Sequence, residues 1–110
     1  MTVKELAEKL GMTFLAGESG GDREIEGCYV GDLLSWVMAR AESGDVWITV
    51  MGNINAIAVA SLTDSACIVL AESAGLDEDA KERADQQEIP VLATEKDSFA
   101  TAVAVAGYLP

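Results

Sequence analysis

Apolar and polar positions follow two different periods along the chain, and the switches between them mark out the elements. In "MTVKELAEKL" the apolar residues Val3, Leu6, Ala7 and Leu10 fall on one helix face. Thr2, followed three residues later by Glu5, forms a capping box that opens this helix, and Gly11 stops it. Residues 12–16 (MTFLA) read as a strand and 17–23 (GESGGDR) as an exposed loop. Residues 24–30 (EIEGCYV) form the next strand, followed by a helix over 32–41 capped by Asp32. After a turn at 42–45 come a buried strand at 46–50 (VWITV), a tight corner at 51–53 (MGN) and an apolar helix over 54–62. Residues 66–71 (ACIVLA) are another continuous apolar strand. Asp77 caps "EDAKERADQQE", whose first-turn acids suit the positive end of a helix dipole. Pro90 opens the last strand, 90–94, and Thr94 with Asp97 forms a second capping box before a helix over 97–109.

From residue 24 onward the order is β-α-β-α-β-α-β-α. Continuous apolar strands alternating with helices predict an α/β fold, a mostly parallel sheet of about five strands covered on both faces. No repeat, low-complexity tract or linker interrupts the pattern, so residues 1–110 form a single domain. The aromatic residues are limited to Phe14, Tyr29, Trp36, Trp47, Phe99 and Tyr108, which leaves Ala, Val, Ile and Leu to build the core.

In an open parallel sheet, ligands bind outside the carboxyl ends of the strands, beside helix N-termini. Four such corners are predicted: Gly31-Asp32, Met51-Gly52-Asn53, Ala71-Glu72-Ser73 and Thr94-Glu95-Lys96. If the strands are parallel, all four project from one edge. The candidate ligand-binding residues are therefore Gly31, Asp32, Gly52, Asn53, Glu72, Ser73, Thr94 and Lys96. Each has a plain structural role beside the functional one. Gly31 and Gly52 permit sharp turns; Asp32, Asn53 and Thr94 cap helices; Lys96, between Glu95 and Asp97, is a surface charge unless an anion reaches it.

The net charge is −12, and the seven basic residues are scattered. Nucleic acid needs a basic footprint, so it is excluded as a partner, and anionic membrane surfaces are repelled by the same field. A basic protein surface or a small ligand stays open. No segment approaches the ~20 apolar residues of a membrane span, and the N-terminus has no uncharged apolar stretch of the signal-peptide type. A cytoplasmic location is expected, with Cys28 and Cys67 as inert thiols in core strands.

The chain has no His and no CxxC, which argues against a bound metal, and no cofactor is expected. There is no GxxxxGK[ST], no GxGxxG after a strand, and no Ser-His or Cys-His pair. No catalytic residue is assigned. The one enzymatic alternative is a hydrolase with Asp32 or Glu72 as base, which requires a carboxylate inside a cleft. The stretches 53–62 and 99–109 are apolar nearly all round. A helix of that kind must be covered on every side. A homodimer through apolar helices, including Phe99, Val103 and Tyr108, is the expected solution; complete packing within one chain is the alternative.

The stretches "GGDREIEGCYVGDLLSWVMA", "GDVWITVMGNINAIAVASL" and "ACIVLAESAGLDEDAKERADQQEIPVLAT", with a last helix starting "DSFATA", resemble the DRTGG domain family over nearly the whole chain. The resemblance implies a three-layer α/β/α fold like the N-terminal domain of HPr kinase/phosphorylase. It also implies a regulatory or ligand-sensing role without catalysis, of the kind found beside CBS domains and at the front of some phosphotransacetylases. Stand-alone members of the family imply a hydrogenase or redox-signalling setting. Where the family pattern has Gly-Asp-Arg, this chain has Gly52-Asn53-Ile54; where it has Thr-Gly-Gly, this chain has Ala71-Glu72-Ser73. Loss of the arginine and of the glycine pair implies loss of a phosphate cradle. The expected function is a non-enzymatic regulatory or protein-interaction module, dimeric, with a structural-subunit role in a larger complex also open. The alternative is a sensor of a nucleotide or phosphorylated metabolite held by Gly31, Gly52, Asn53, Thr94 and Lys96.

Overall fold

Thr2 and Glu5 exchange hydrogen bonds: the Glu5 amide donates to Thr2 Oγ1 at 3.2 Å, and the Thr2 amide to Glu5 Oε1 at 2.9 Å. This box starts α1 (Val3–Leu10) in the computed structural model, which describes residues 1–110. Gly11 ends the helix in the left-handed region at φ 66°. There follow β1 (Thr13–Ala16), a single 3₁₀ turn (Glu18–Gly20), β2 (Gly27–Val30), α2 (Leu34–Arg40) and β3 (Asp45–Thr49). The chain continues through α3 (Ile54–Thr63), β4 (Cys67–Leu70), α4 (Glu78–Gln87), β5 (Val91–Ala93) and α5 (Ser98–Ala106).

The five strands form one sheet in the order β1-β5-β4-β3-β2. Strands β2 to β5 are parallel, and β1 closes the far edge antiparallel to β5. Successive side chains of a strand point to opposite faces, so each central strand feeds two cores. On one face Val46, Ile48, Val69 and Leu92 pack with Val3 and Leu6 of α1 and Val105 of α5. On the other, Trp47, Ile68, Leu70 and Val91 pack with Val37 of α2, Ile57 and Ala60 of α3, and Ala80 and Ala84 of α4. The architecture is the three-layer α/β/α sandwich with a mostly parallel five-stranded sheet that the pattern predicts.

Several boundaries differ from expectation. Residues 17–23 are exposed only in part: Glu18, Ser19 and Asp22 face water, but Gly17 and Gly21 are buried. A Cβ on Gly17 would lie 1.9 Å from the Ile89 carbonyl oxygen, and one on Gly20 2.0 Å from that of Glu88. These glycines let the segment close onto the end of α4. Strand β2 starts at Gly27 rather than at residue 24, because the preceding residues pair with the N-terminus. The Ile25 amide donates to the Met1 carbonyl at 3.0 Å, and Glu24 bridges Thr2. The last helix spans 98–106 only.

Cys67 is fully buried, and desolvation pushes its thiol up to about 12; Cys28, half-buried and near Asp45, is pushed up to about 11, again chiefly by desolvation. The thiolate is the reactive species. Neither cysteine is therefore expected to react with a chromogenic disulfide reagent near neutral pH while the protein is folded. Both should titrate fully once it is unfolded in guanidinium, and a native thiol that reacts within minutes would contradict the burial of the β2–β4 core.

Candidate functional site

Because β2 to β5 are parallel, their four carboxyl-end corners do meet at one edge, and there they bond mainly to one another. Asp32 is not the cap of α2: the N-cap position is Leu33, with no side-chain cap. Asp32 Oδ1 instead accepts from Thr49 Oγ1 at 2.8 Å and from the Val50 amide at 3.0 Å. Thr49 Oγ1 in turn accepts from the Met51 amide at 3.2 Å. The neighbouring Gly31 amide donates to the Ile48 carbonyl at 3.1 Å, and the Gly31 carbonyl accepts from Trp47 Nε1 at 2.9 Å. Asp32 therefore clamps the end of β2 to the end of β3. The sequence pattern marks neither Thr49 nor Trp47 as a corner residue. Both sit in an otherwise aliphatic strand read as buried, where a hydroxyl and an indole N–H must each find a partner, and that was the available signal.

Gly52 stands where the loop after β4 passes: a Cβ there would lie 1.9 Å from the Gly75 carbonyl oxygen. Its own carbonyl accepts from the Asp77 amide at 2.8 Å. Asn53 is a true cap, its Oδ1 accepting from the Ala56 amide at 3.0 Å. Thr94 is not half of a capping box. Asp97 alone caps α5, accepting from the Ala100 amide at 2.7 Å, while Thr94 Oγ1 accepts from the Lys96 amide at 3.3 Å. The third and fourth corners are joined as well: the Glu72 amide donates to the Lys96 carbonyl at 2.8 Å and the Ser73 amide to that of Thr94 at 2.9 Å.

These bonds leave one side of the edge open. Between the end of α1, the start of β1, the end of β5 and the loop into α4 lies a groove of about 860 Å³. It gathers Ser73, Thr94 and Lys96 with Lys81 of α4 and an apolar floor that includes Leu10, Leu15 and Leu76. Gly31, Asp32, Gly52, Asn53 and Glu72 do not line it. Asp32 and Glu72 are exposed carboxylates, so neither has the enclosing cleft that a general base requires. Beside the groove, Asp85 joins α4 to the turn after β1. The Gly17 amide donates to it at 2.7 Å and Lys81 Nζ at 2.9 Å, and these two bonds hold its carboxyl below the ordinary range. A smaller cleft of about 390 Å³ lies at the opposite edge, around Arg23, Asp64 and Glu88. There the Ser43 hydroxyl and Arg23 both bond to Asp64 and lower its pKa. No three metal-ligating side chains gather anywhere in the chain, and no helix is long and apolar enough to cross a membrane.

The model of the DRTGG domain family matches residues 5–107. The chain belongs to the DRTGG domain family. Among curated proteins, none matches the sequence. Among solved structures, this DRTGG chain is similar to the CBS and DRTGG domains of the regulatory region of a Clostridium perfringens pyrophosphatase, determined in complex with its activator, diadenosine tetraphosphate. The TM-score is 0.70 at 17% identity, over 99% of this chain and 47% of the other. The DRTGG chain thus spans about half the length of that region, and at this identity the likeness carries the fold alone.

The backbone at the corner after β4 is of a kind that favours glycine. At Glu72 and Ser73, where the resemblance places the glycine pair, φ is 56° at both residues. Two successive left-handed residues are disfavoured for any side chain and free for glycine. Both amides are already engaged by the carbonyls of the next corner. Glu72-Ser73 holds this left-handed turn under strain.

Opposite effects on stability should separate these two corners. Replacing Glu72 or Ser73 by Gly is expected to stabilise the fold by about 1 kcal/mol each. Asp32→Ala should destabilise by about 1–3 kcal/mol, because it leaves the buried Thr49 hydroxyl without its acceptor. Asp32→Asn, which keeps Oδ1, should lose less. Urea unfolding midpoints measure all four variants, and a destabilised Glu72→Gly would refute the turn geometry.

Proposed function

We propose that this DRTGG chain is a non-enzymatic regulatory module that works by presenting apolar surface to a protein partner, first of all a second copy of itself. The observation that carries this reading is the outer face of α5. Phe99 is 79% exposed and Val103 57% exposed, four residues apart on one stripe, with exposed Tyr108 just beyond the helix. Residues 98–106 contain no ionisable side chain. Two copies carrying −12 each repel one another, so they can approach only where charge is absent. Large apolar side chains left in water on such a face mark an interaction site.

A second apolar group at α2 favours a further protein partner. Leu33 is 59% exposed and Trp36 53% exposed, and the Arg40 guanidinium lies 3.9 Å from the Trp36 ring centroid. Aromatic residues and arginine are the side chains enriched at protein interfaces. The hydrogenase or redox-signalling setting implied by the resemblance names the kind of partner to try first. Ligand sensing is the second reading, favoured by the groove that joins Ser73, Thr94 and Lys96. The pyrophosphatase region, solved with diadenosine tetraphosphate, supports a nucleotide as the first ligand to test.

Mass in solution, followed over a dilution series, tests self-association. The parent is expected at twice 11.5 kDa, and more firmly so at higher salt, where the repulsion is screened. Phe99→Asp with Val103→Lys is expected to give the single-chain mass at every concentration. A parent that stays monomeric throughout removes the dimer and leaves α2 as the partner surface.

A further inference from the structure

The groove at the β5–β1 side departs from the rest of the surface in charge. The chain has 19 acidic and seven basic residues, yet the groove is lined by two lysines, Lys81 and Lys96, against one carboxylate, Glu95. The cleft at the opposite edge has the charge expected of such a chain, with Asp22, Asp64 and Glu88 against Arg23.

The groove also offers free donors. Lys96 forms no ion pair, and Lys81, 51% exposed, gives Asp85 one hydrogen bond and keeps the rest of its ammonium group. Thr94 accepts from the Lys96 amide but its own proton has no acceptor, and the Ser73 hydroxyl forms no bond. Beside these lie Leu10, Leu15 and Leu76. A volume of about 860 Å³ suits a body of nucleotide size and is far larger than a bare phosphate needs.

We propose that this groove binds a small phosphorylated metabolite that carries an apolar or ring-shaped body. The phosphate oxygens meet Lys81, Lys96, Ser73 and Thr94, and the body lies on Leu10, Leu15 and Leu76. Resting on the ligand-sensing reading above, this places the site away from Gly31, Asp32, Gly52 and Asn53, on the side of the edge that those residues do not reach.

The test uses the whole chain with AMP, ATP and pyrophosphate as probes, followed by amide chemical shifts, calorimetry and Tm. The expected result is that a nucleotide moves the amides of residues 10–13, 73–76 and 94–96. At ten times its Kd it should raise Tm by roughly 5–10 °C. Lys96→Glu combined with Lys81→Glu should weaken binding by about tenfold or more, since it reverses the charge at the anion, whereas Asn53→Ala should leave affinity unchanged. Both lysines are exposed, and the amide spectrum verifies that the double variant is folded.

No perturbation by any probe overturns the site and leaves the self-association result to stand by itself. Nucleotide binding that maps to residues 31–32 or 52–53, or that survives in the lysine variant, overturns the groove while ligand sensing survives. Pyrophosphate binding as tightly as ATP, which has more phosphate and the nucleoside body besides, overturns the contact between the body and the leucines.

Discussion

The parallel pairing of β2 to β5 sets the terms for every other element. A parallel pair cannot be closed by a hairpin, so the chain must return through a helix between successive strands. Here the strands add one at a time in a single direction, and the three crossover helices α2, α3 and α4 all cover the same face. The opposite face, with Val46, Ile48, Cys67 and Val69, has to be covered by elements that are not crossovers. Met12 and Ile25, from the connections on either side of β1, cover part of it. Residues before the sheet supply α1, and residues after it supply α5, which turns back to lie over β2 and β3. That helix commits Thr101 and Val105 to the interior and leaves Phe99 and Val103 in water. Closing the second face with α5 thus decides which of its residues face outward, but does not require them to be apolar.

The same pairing explains why the carboxyl-end edge of the sheet is sealed on one side and open on the other. Corners of adjacent parallel strands stack, so each supplies the partner its neighbour lacks. Asp32 serves Thr49 and Val50, Gly52 receives Asp77, and Glu72 and Ser73 donate to Lys96 and Thr94. Burying polar corner groups without such partners would destabilise the fold by about 1–3 kcal/mol each. The series ends at β5, because its outer neighbour β1 is antiparallel. Strand β1 brings to this edge the end of α1 and the start of a strand, Leu10 to Thr13, and no further strand-to-helix corner. The groove lies where the interlocking stops.

The periodicity of the chain was enough to read the layers, since continuous apolar runs at 46–50 and 66–71 have no other home than a doubly covered sheet. Local chemistry was also legible where both partners lie within a few residues, as with Thr2 and Glu5 or Asn53 and Ala56. What could not be read were roles assigned by distant neighbours. Asp32 looks like a cap because the helix follows it at once; its actual partner, Thr49, is 17 residues on. Gly17 and Gly20 look like loop residues because the carbonyls they press against belong to Ile89 and Glu88. Thr94 and Asp97 fit the spacing of a capping box, but the Thr94 carbonyl is taken by the Ser73 amide and its hydroxyl by Lys96. At Glu72-Ser73 the side chains conceal a backbone conformation that a glycine pair would have announced.

Charge ties the open groove to the apolar helix. A net −12 disfavours contact between charged faces of two copies and makes any cationic site stand out against its surroundings. Lys96 belongs to that site and directly precedes Asp97, the cap of α5, while its carbonyl accepts from the Glu72 amide at the strained turn. One segment, residues 94–97, therefore contributes to the groove wall, braces the left-handed turn and starts the helix that exposes Phe99. Wall, brace and helix start thus follow one another within four residues of backbone.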